Sequence, residues 1–151
     1  MKLRPVSAAV VGAVLLAACG HDFEPPDGAE RVEEAAARYS VALFDSVDWQ
    51  NDSVRAQEGN AVYAEKCRRC HGTLGRGETE YAAERQLEVP SLVEPDWALA
   101  HMDSLRRTVY VGHEEGMPGY GIAGISAREI DASAFYVIYQ LRPDVLEAGA
   151  R

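Results

Sequence analysis

Cysteine is scarce, with three residues in a chain of 151. That excludes the cross-linked framework of a small disulfide-dense scaffold. Basic residues are also in deficit. Lys and Arg number 15 against 24 Asp and Glu, a formal charge of −9. The basic stripe that a nucleic-acid partner requires is therefore missing, and no such partner is expected. There is no internal repeat or low-complexity tract. The apolar run Val6–Ala18 holds 13 residues, short of the roughly 20 needed to cross a bilayer as a helix. What remains, 47% hydrophobic in the length of one domain, is the composition of an ordinary globular protein.

The first residues read as an export signal instead of structure. Lys2 and Arg4 give a positive start, and the apolar run follows. It ends in Leu16, Ala17, Ala18, Cys19, which resembles the lipobox of bacterial lipoproteins. The resemblance implies that residues 1–18 are a signal peptide and that Cys19 is acylated as a lipid anchor. A secretory signal with a chance cysteine is the alternative. Residues 1–18 carry two of the cations and none of the acids, so without them the charge becomes −11. An acidic surface steers a protein toward basic patches on partners, less so as salt rises.

Two cysteines are left, and their spacing is informative. Cys67, Arg68, Arg69, Cys70, His71 is the attachment pattern of haem c: two thiols form thioethers with the porphyrin vinyls and the histidine ligates iron. Two intervening residues separate the sulfurs by about one helical turn, which matches neighbouring vinyl groups. A thioredoxin-like dithiol needs a βαβ context that these flanks lack. A zinc site needs two further ligands, and a plain disulfide leaves His71 without a role.

Beyond this motif, the chain from about Ser53 to Leu141 resembles the class I cytochromes c. Gly59, Val62 and Tyr63 stand eight, five and four residues before Cys67, as in that family's first helix. Gly72, Gly75 and Gly77 are similar to its loop after the histidine. No hydrophobic strand precedes these glycines, so they are not a dinucleotide fingerprint. The resemblance implies an all-α fold, with several helices wrapped around one covalently bound haem. The expected organisation is a tether and N-terminal extension at 19–52, a haem domain at 53–142 and a tail at 143–151.

The sixth iron ligand has several candidates: Met117, Met102, His101, His113 and His21. Met117 lies in Gly116, Met117, Pro118, Gly119, Tyr120, Gly121, 46 residues beyond His71, which resembles the family's methionine loop. Glycines and proline hold such a loop in a defined non-helical shape at small entropic cost. Met102 precedes Asp103 and Ser104, read as caps of a helix from about Leu105 to Val111, and is expected to pack. His113 remains the main competitor of Met117. In the family, a proline carbonyl orients the proximal histidine, and Pro90 is the corresponding candidate. Trp97 is read as a packing residue with an indole N–H able to approach a propionate.

The closing helix shows most clearly. Ser126 is its expected cap, Ile130, Ala134, Val137 and Leu141 form one apolar stripe, and Pro143 is expected to end it. Gly59 and Tyr63 are expected to meet it near Ser133 and Tyr136. The stretch Phe135–Tyr139 is aromatic and apolar all round, which predicts burial on more than one side or an added contact with the segment before Ser53. Upstream, Ala29–Tyr39 is rich in helix formers and predicts one further helix, begun at Asp27. Val41–Trp49 is too apolar for a tether and is expected to pack on the haem domain or on a partner.

These readings converge on an exported, lipid-anchored, single-haem electron carrier facing the periplasm, not an enzyme. Its expected partners are redox proteins with basic docking surfaces: a quinol-oxidising complex, a terminal oxidase or a dehydrogenase. A fixed subunit of a larger respiratory complex is the nearest variant. A haem sensor or peroxidase with a displaceable sixth ligand, and a haem-free interaction module with Cys67 and Cys70 as a disulfide, are rivals from other classes.

Overall fold

The computed structural model describes residues 28–150. The expected signal peptide, Cys19, His21 and Asp27 lie outside the described residues. Within them the fold is all-α, with one isolated bridge between His113 and Met117 in place of any strand.

Helix α1, Gly28–Arg38, is built from Ala, Glu and Arg, all strong helix formers. A 3₁₀ turn follows at Val41–Phe44, capped by the Ser40 hydroxyl, which accepts from the Ala42 N–H. Its Phe44 is buried in the common core. Leu43, Phe44 and Val47 thus pack on their own domain, while Val41 stays exposed.

Helix α2, Asp52–Val62, starts at Asn51, whose side chain accepts from the Val54 N–H. It runs into a π turn, Tyr63–Cys67, closed where the Arg68 N–H reaches back to the Tyr63 carbonyl. The short α3, Arg68–His71, completes this arm. Helices α4, Glu80–Glu84, and α5, Met102–Val111, follow. α5 begins earlier than the sequence predicts. His101 occupies the cap position, and Asp103 sits in the first turn, where a carboxylate also opposes the helix dipole favourably. Met102 packs against the core, as expected.

Helix α6, Ala127–Tyr136, has a capping box: Ser126 accepts from the Glu129 N–H while Glu129 accepts from the Ser126 N–H. Every residue from Ile130 to Phe135 is buried, because α2, α5 and the 3₁₀ turn all lie against this helix. A second π turn, Val137–Leu141, leads directly into α7, Arg142–Gly149. Pro143 therefore does not end the helical path. It stands in the first turn of α7, a position that proline favours. The expected tail is a helix with Arg142 and Val145 buried.

The crossing of α2 and α6 organises the core. Tyr63 and Tyr136 stack obliquely with centroids 5.6 Å apart, so the expected meeting of these segments is found. Beside it lies Asp131, whose carboxylate accepts from Trp49 Nε1 at 2.7 Å and from Arg55 at 2.7 and 2.9 Å, and is also bonded by Arg106. Three elements are joined at one buried anion, whose charge requires partners of this kind.

Candidate functional site

The π turn and α3 carry the motif: Cys67 ends the turn, while Cys70 and His71 lie on α3. Neither thiol is paired with another cysteine. The chain then turns through Gly72 and Gly77, both at φ +77°. At Gly77 a β-carbon would fall 2.2 Å from the Val89 carbonyl oxygen, and only glycine permits that approach. It brings the Val89–Pro90 segment up to the motif.

The opposing element is the loop after α5. Gly112, at φ +78°, ends the helix by turning the chain sharply. The His113 N–H then donates to the Met117 carbonyl at 2.9 Å. The Tyr120 N–H donates to Val109 at 3.1 Å, and the Gly121 N–H to Tyr110 at 3.0 Å. These bonds fold the loop back along α5, with Met117 half-buried at its centre.

Between the two arms is a cleft. Its outer part, about 880 Å³ including space open to solvent, is lined by Cys67, Cys70, His71, Pro90, His113 and Met117 among others. A deeper part of about 510 Å³ runs in to Tyr63, Trp97, Leu105 and Val137 and shares Cys67, His71, Pro90, Leu99, Thr108 and Met117 with the first. A broader depression between α2, α5 and α6, lined by Arg55, Arg106 and Tyr139, has no residue in common with the cleft.

Each predicted residue can now be placed. Cys67, Cys70, His71, Pro90 and Met117 all line the cleft. His113 reaches its rim but is exposed, 3.5 Å from Glu115. Met102 lines the other depression, and His101 is an exposed helix cap.

The electrostatics suit a neutral, apolar ligand pocket. Burial lowers the pKa of His71, and the Pro90 carbonyl opposes that shift. Nδ1 of His71 is buried without a hydrogen bond of full geometry, so the Pro90 carbonyl acts on it as a nearby dipole. Burial pushes the Cys67 thiol up to about 12, with Cys70 adding to the effect. The Tyr120 hydroxyl is likewise raised to about 12, chiefly by burial.

Two tyrosines brace the motif in a way that composition did not reveal. Tyr63 Oη donates to the Gly72 carbonyl at 2.7 Å, and Tyr120 Oη donates to the Lys66 carbonyl at 2.8 Å. Tyr63 had a sequence signal in its position four residues before Cys67. Tyr120 had none, because its partner lies 54 positions away.

These residues fit a haem. Among the described residues no group of three or more His, Cys, Asp or Glu is placed to hold a bare metal ion. An iron bound by His71 thus needs a macrocycle to fill its remaining equatorial positions. The apolar cleft, the paired thiols and the buried His71 imidazole beside them meet that need.

A family model described as cytochrome c oxidase, cbb3-type, subunit III, matches residues 54–137. The chain belongs to this family. It is a c-type cytochrome, a haem-based electron-transfer protein whose cofactor is covalently attached haem c. The family match begins at Val54, so α1 and the 3₁₀ turn of this cytochrome lie outside it. No solved structure matches the chain.

Proposed function

We propose that this cytochrome is a membrane-anchored, single-haem carrier of one electron at a time, working between a quinol-oxidising complex or dehydrogenase and a terminal acceptor. Cys67 and Cys70 supply the thioether sulfurs, His71 and Met117 the axial ligands, and Pro90 the carbonyl that orients His71. The observation that carries the reading is the one cleft lined by all five residues. Haem c bound there supplies a one-electron couple.

The chain's own part is to fix coordination and exclude water. Lowered basicity keeps the His71 imidazole neutral and free to bind. The Tyr63 bond closes the motif arm on itself, and the Tyr120 bond holds that arm against the methionine loop. Two strong protein ligands leave no open position for oxygen or peroxide, which favours electron transfer over catalysis.

Export and anchoring at Cys19 rest on the leader sequence. Among the described residues no helix is long and apolar enough to cross a membrane. The acidic surface favours partners with basic docking patches. A fixed role inside a respiratory complex draws support from the family description. It draws none from Val41–Trp49, whose Phe44 and Trp49 are used within the domain.

The test is intact mass together with optical spectra of native protein. One added haem, one lipid moiety and a ferric near-infrared sulfur–iron band are expected. Met117→Ala is expected to lose the band and gain carbon monoxide binding in the ferrous form. Missing tetrapyrrole mass would overturn the reading, and rapid stoichiometric carbon monoxide binding by the unaltered protein would favour the sensor or peroxidase.

A further inference from the structure

Helix α1 lies outside the family-matched stretch and has no task in electron transfer as derived so far. It lies against α5 and also reaches the loop that follows α5. Ala35 is wholly buried and faces Gly119, where a β-carbon would stand 3.4 Å from the Ala35 Cβ. At the start of the helix, a β-carbon on Gly28 would lie 2.9 Å from the Glu114 carbonyl oxygen. Just beyond its end, Tyr39 meets the Tyr110 ring edge-on with centroids 5.5 Å apart. Tyr110 in turn covers Gly121, within 2.3 Å of a β-carbon position there. Both ends and the middle of this segment thus bear on residues 114–121 or on the ring packed over them.

That loop needs support from outside. Glycines at 116, 119 and 121 leave it few side chains besides Met117 and Tyr120 with which to pack, and they raise the entropy gained on opening. We propose that α1 is a buttress that keeps the methionine loop closed, with Ala35 and Tyr39 as positioning residues that prevent loss of Met117 from the haem iron. The inference rests on Met117 being that ligand.

The experiment uses the full-length holoprotein as Ala35→Leu, Tyr39→Leu and Trp49→Phe, with two readouts: the ferric near-infrared band and the rate of carbon monoxide binding to the ferrous form. Ala35→Leu drives volume between α1 and Gly119, and Tyr39→Leu withdraws the ring behind Tyr110. Both are expected to weaken the band and speed carbon monoxide binding about tenfold, in proportion to the open population. Trp49→Phe breaks the bond to Asp131 elsewhere in the extension; it is expected to lower the melting temperature while leaving both readouts as they were. Should Ala35→Leu fail to fold, Tyr39→Leu, which adds no volume, decides alone. Unchanged readouts in the α1 variants, or an equal change in Trp49→Phe, overturn the buttress. A wild-type protein without the band refutes ligation by Met117 itself, and the buttress with it.

Discussion

Gly59 of α2 and Ala132 of α6 approach so closely that a β-carbon on the glycine would lie 2.1 Å from the Ala132 carbonyl oxygen. Two effects compete at Gly59→Ala. Helix propensity gains about 1 kcal/mol. The collision is with backbone, which cannot rotate away, and overpacking of this kind costs about 3 kcal/mol or more. The collision wins. Chemical denaturation of the holoprotein is expected to show net destabilisation, and a variant as stable as the parent would mean that the helices do not cross here.

Asp131 is 0% exposed and holds Trp49, Arg55 and Arg106 together. Asp131→Ala takes the anion from Arg55 and leaves Arg106 only the exposed Asp103. Removing one side of a buried ion pair costs about 3–5 kcal/mol, and the lower end applies because Arg55 and Arg106 remain 16% and 19% exposed. Trp49→Phe removes a single bond to a charged acceptor, worth about 1.5–3 kcal/mol. Denaturant midpoints of the two variants are expected in that order.

What could be read without coordinates was local. The motif Cys67–His71 lies in five consecutive residues, and the Ser126 cap stands directly before its helix. The closing stripe of Ile130, Ala134, Val137 and Leu141 is buried throughout, although a π turn begins at Val137, to which periodicity at 3.6 residues is blind. Pro143 was ambiguous because proline suits both the residue after one helix and the first turn of the next. The cap of α5 was misplaced because Asp103 is equally at home in a first turn. The bond from Trp49 to Asp131 joins residues 82 apart, and no local pattern encodes it. The same holds for α1 against the methionine loop.

The capping box gives a pH signature. Hydrogen bonds from the Ser126 hydroxyl and N–H hold the Glu129 carboxyl below its ordinary value of 4.5. A carboxylate with a depressed folded-state pKa adds stability that is fully present above about pH 4.5. That stability is lost as the pH falls through the folded value, since the unfolded state takes up its proton first. Ser126→Ala is expected to cost about 1 kcal/mol at pH 7 and to flatten this acid limb. Urea unfolding at pH 7 and at pH 3 measures both. A Ser126→Ala curve parallel to the parent's would show that the box does not set the acid sensitivity.

Arg142, only 7% exposed, bonds to the Leu92 carbonyl and donates to the Glu94 carbonyl at 3.0 Å, while its guanidinium stands 5.0 Å from the Trp97 ring. Trp97 and Leu92 both line the deep part of the cleft. The side chain therefore does two separable things: its fork ties α7 to the loop that follows Pro90, and its charge lies behind the cleft wall. Arg142→Met abolishes both, and leaving two carbonyls unsatisfied costs about 1–3 kcal/mol. Arg142→Lys keeps the charge but loses the planar fork. A cation near the haem favours the reduced iron, so Arg142→Met is expected to lower the reduction potential and Arg142→Lys to hold it near the parent value, with both variants melting earlier. Redox titration separates the roles. If the lysine variant falls as far as the methionine variant, the potential depends on how the loop is tied and not on the charge.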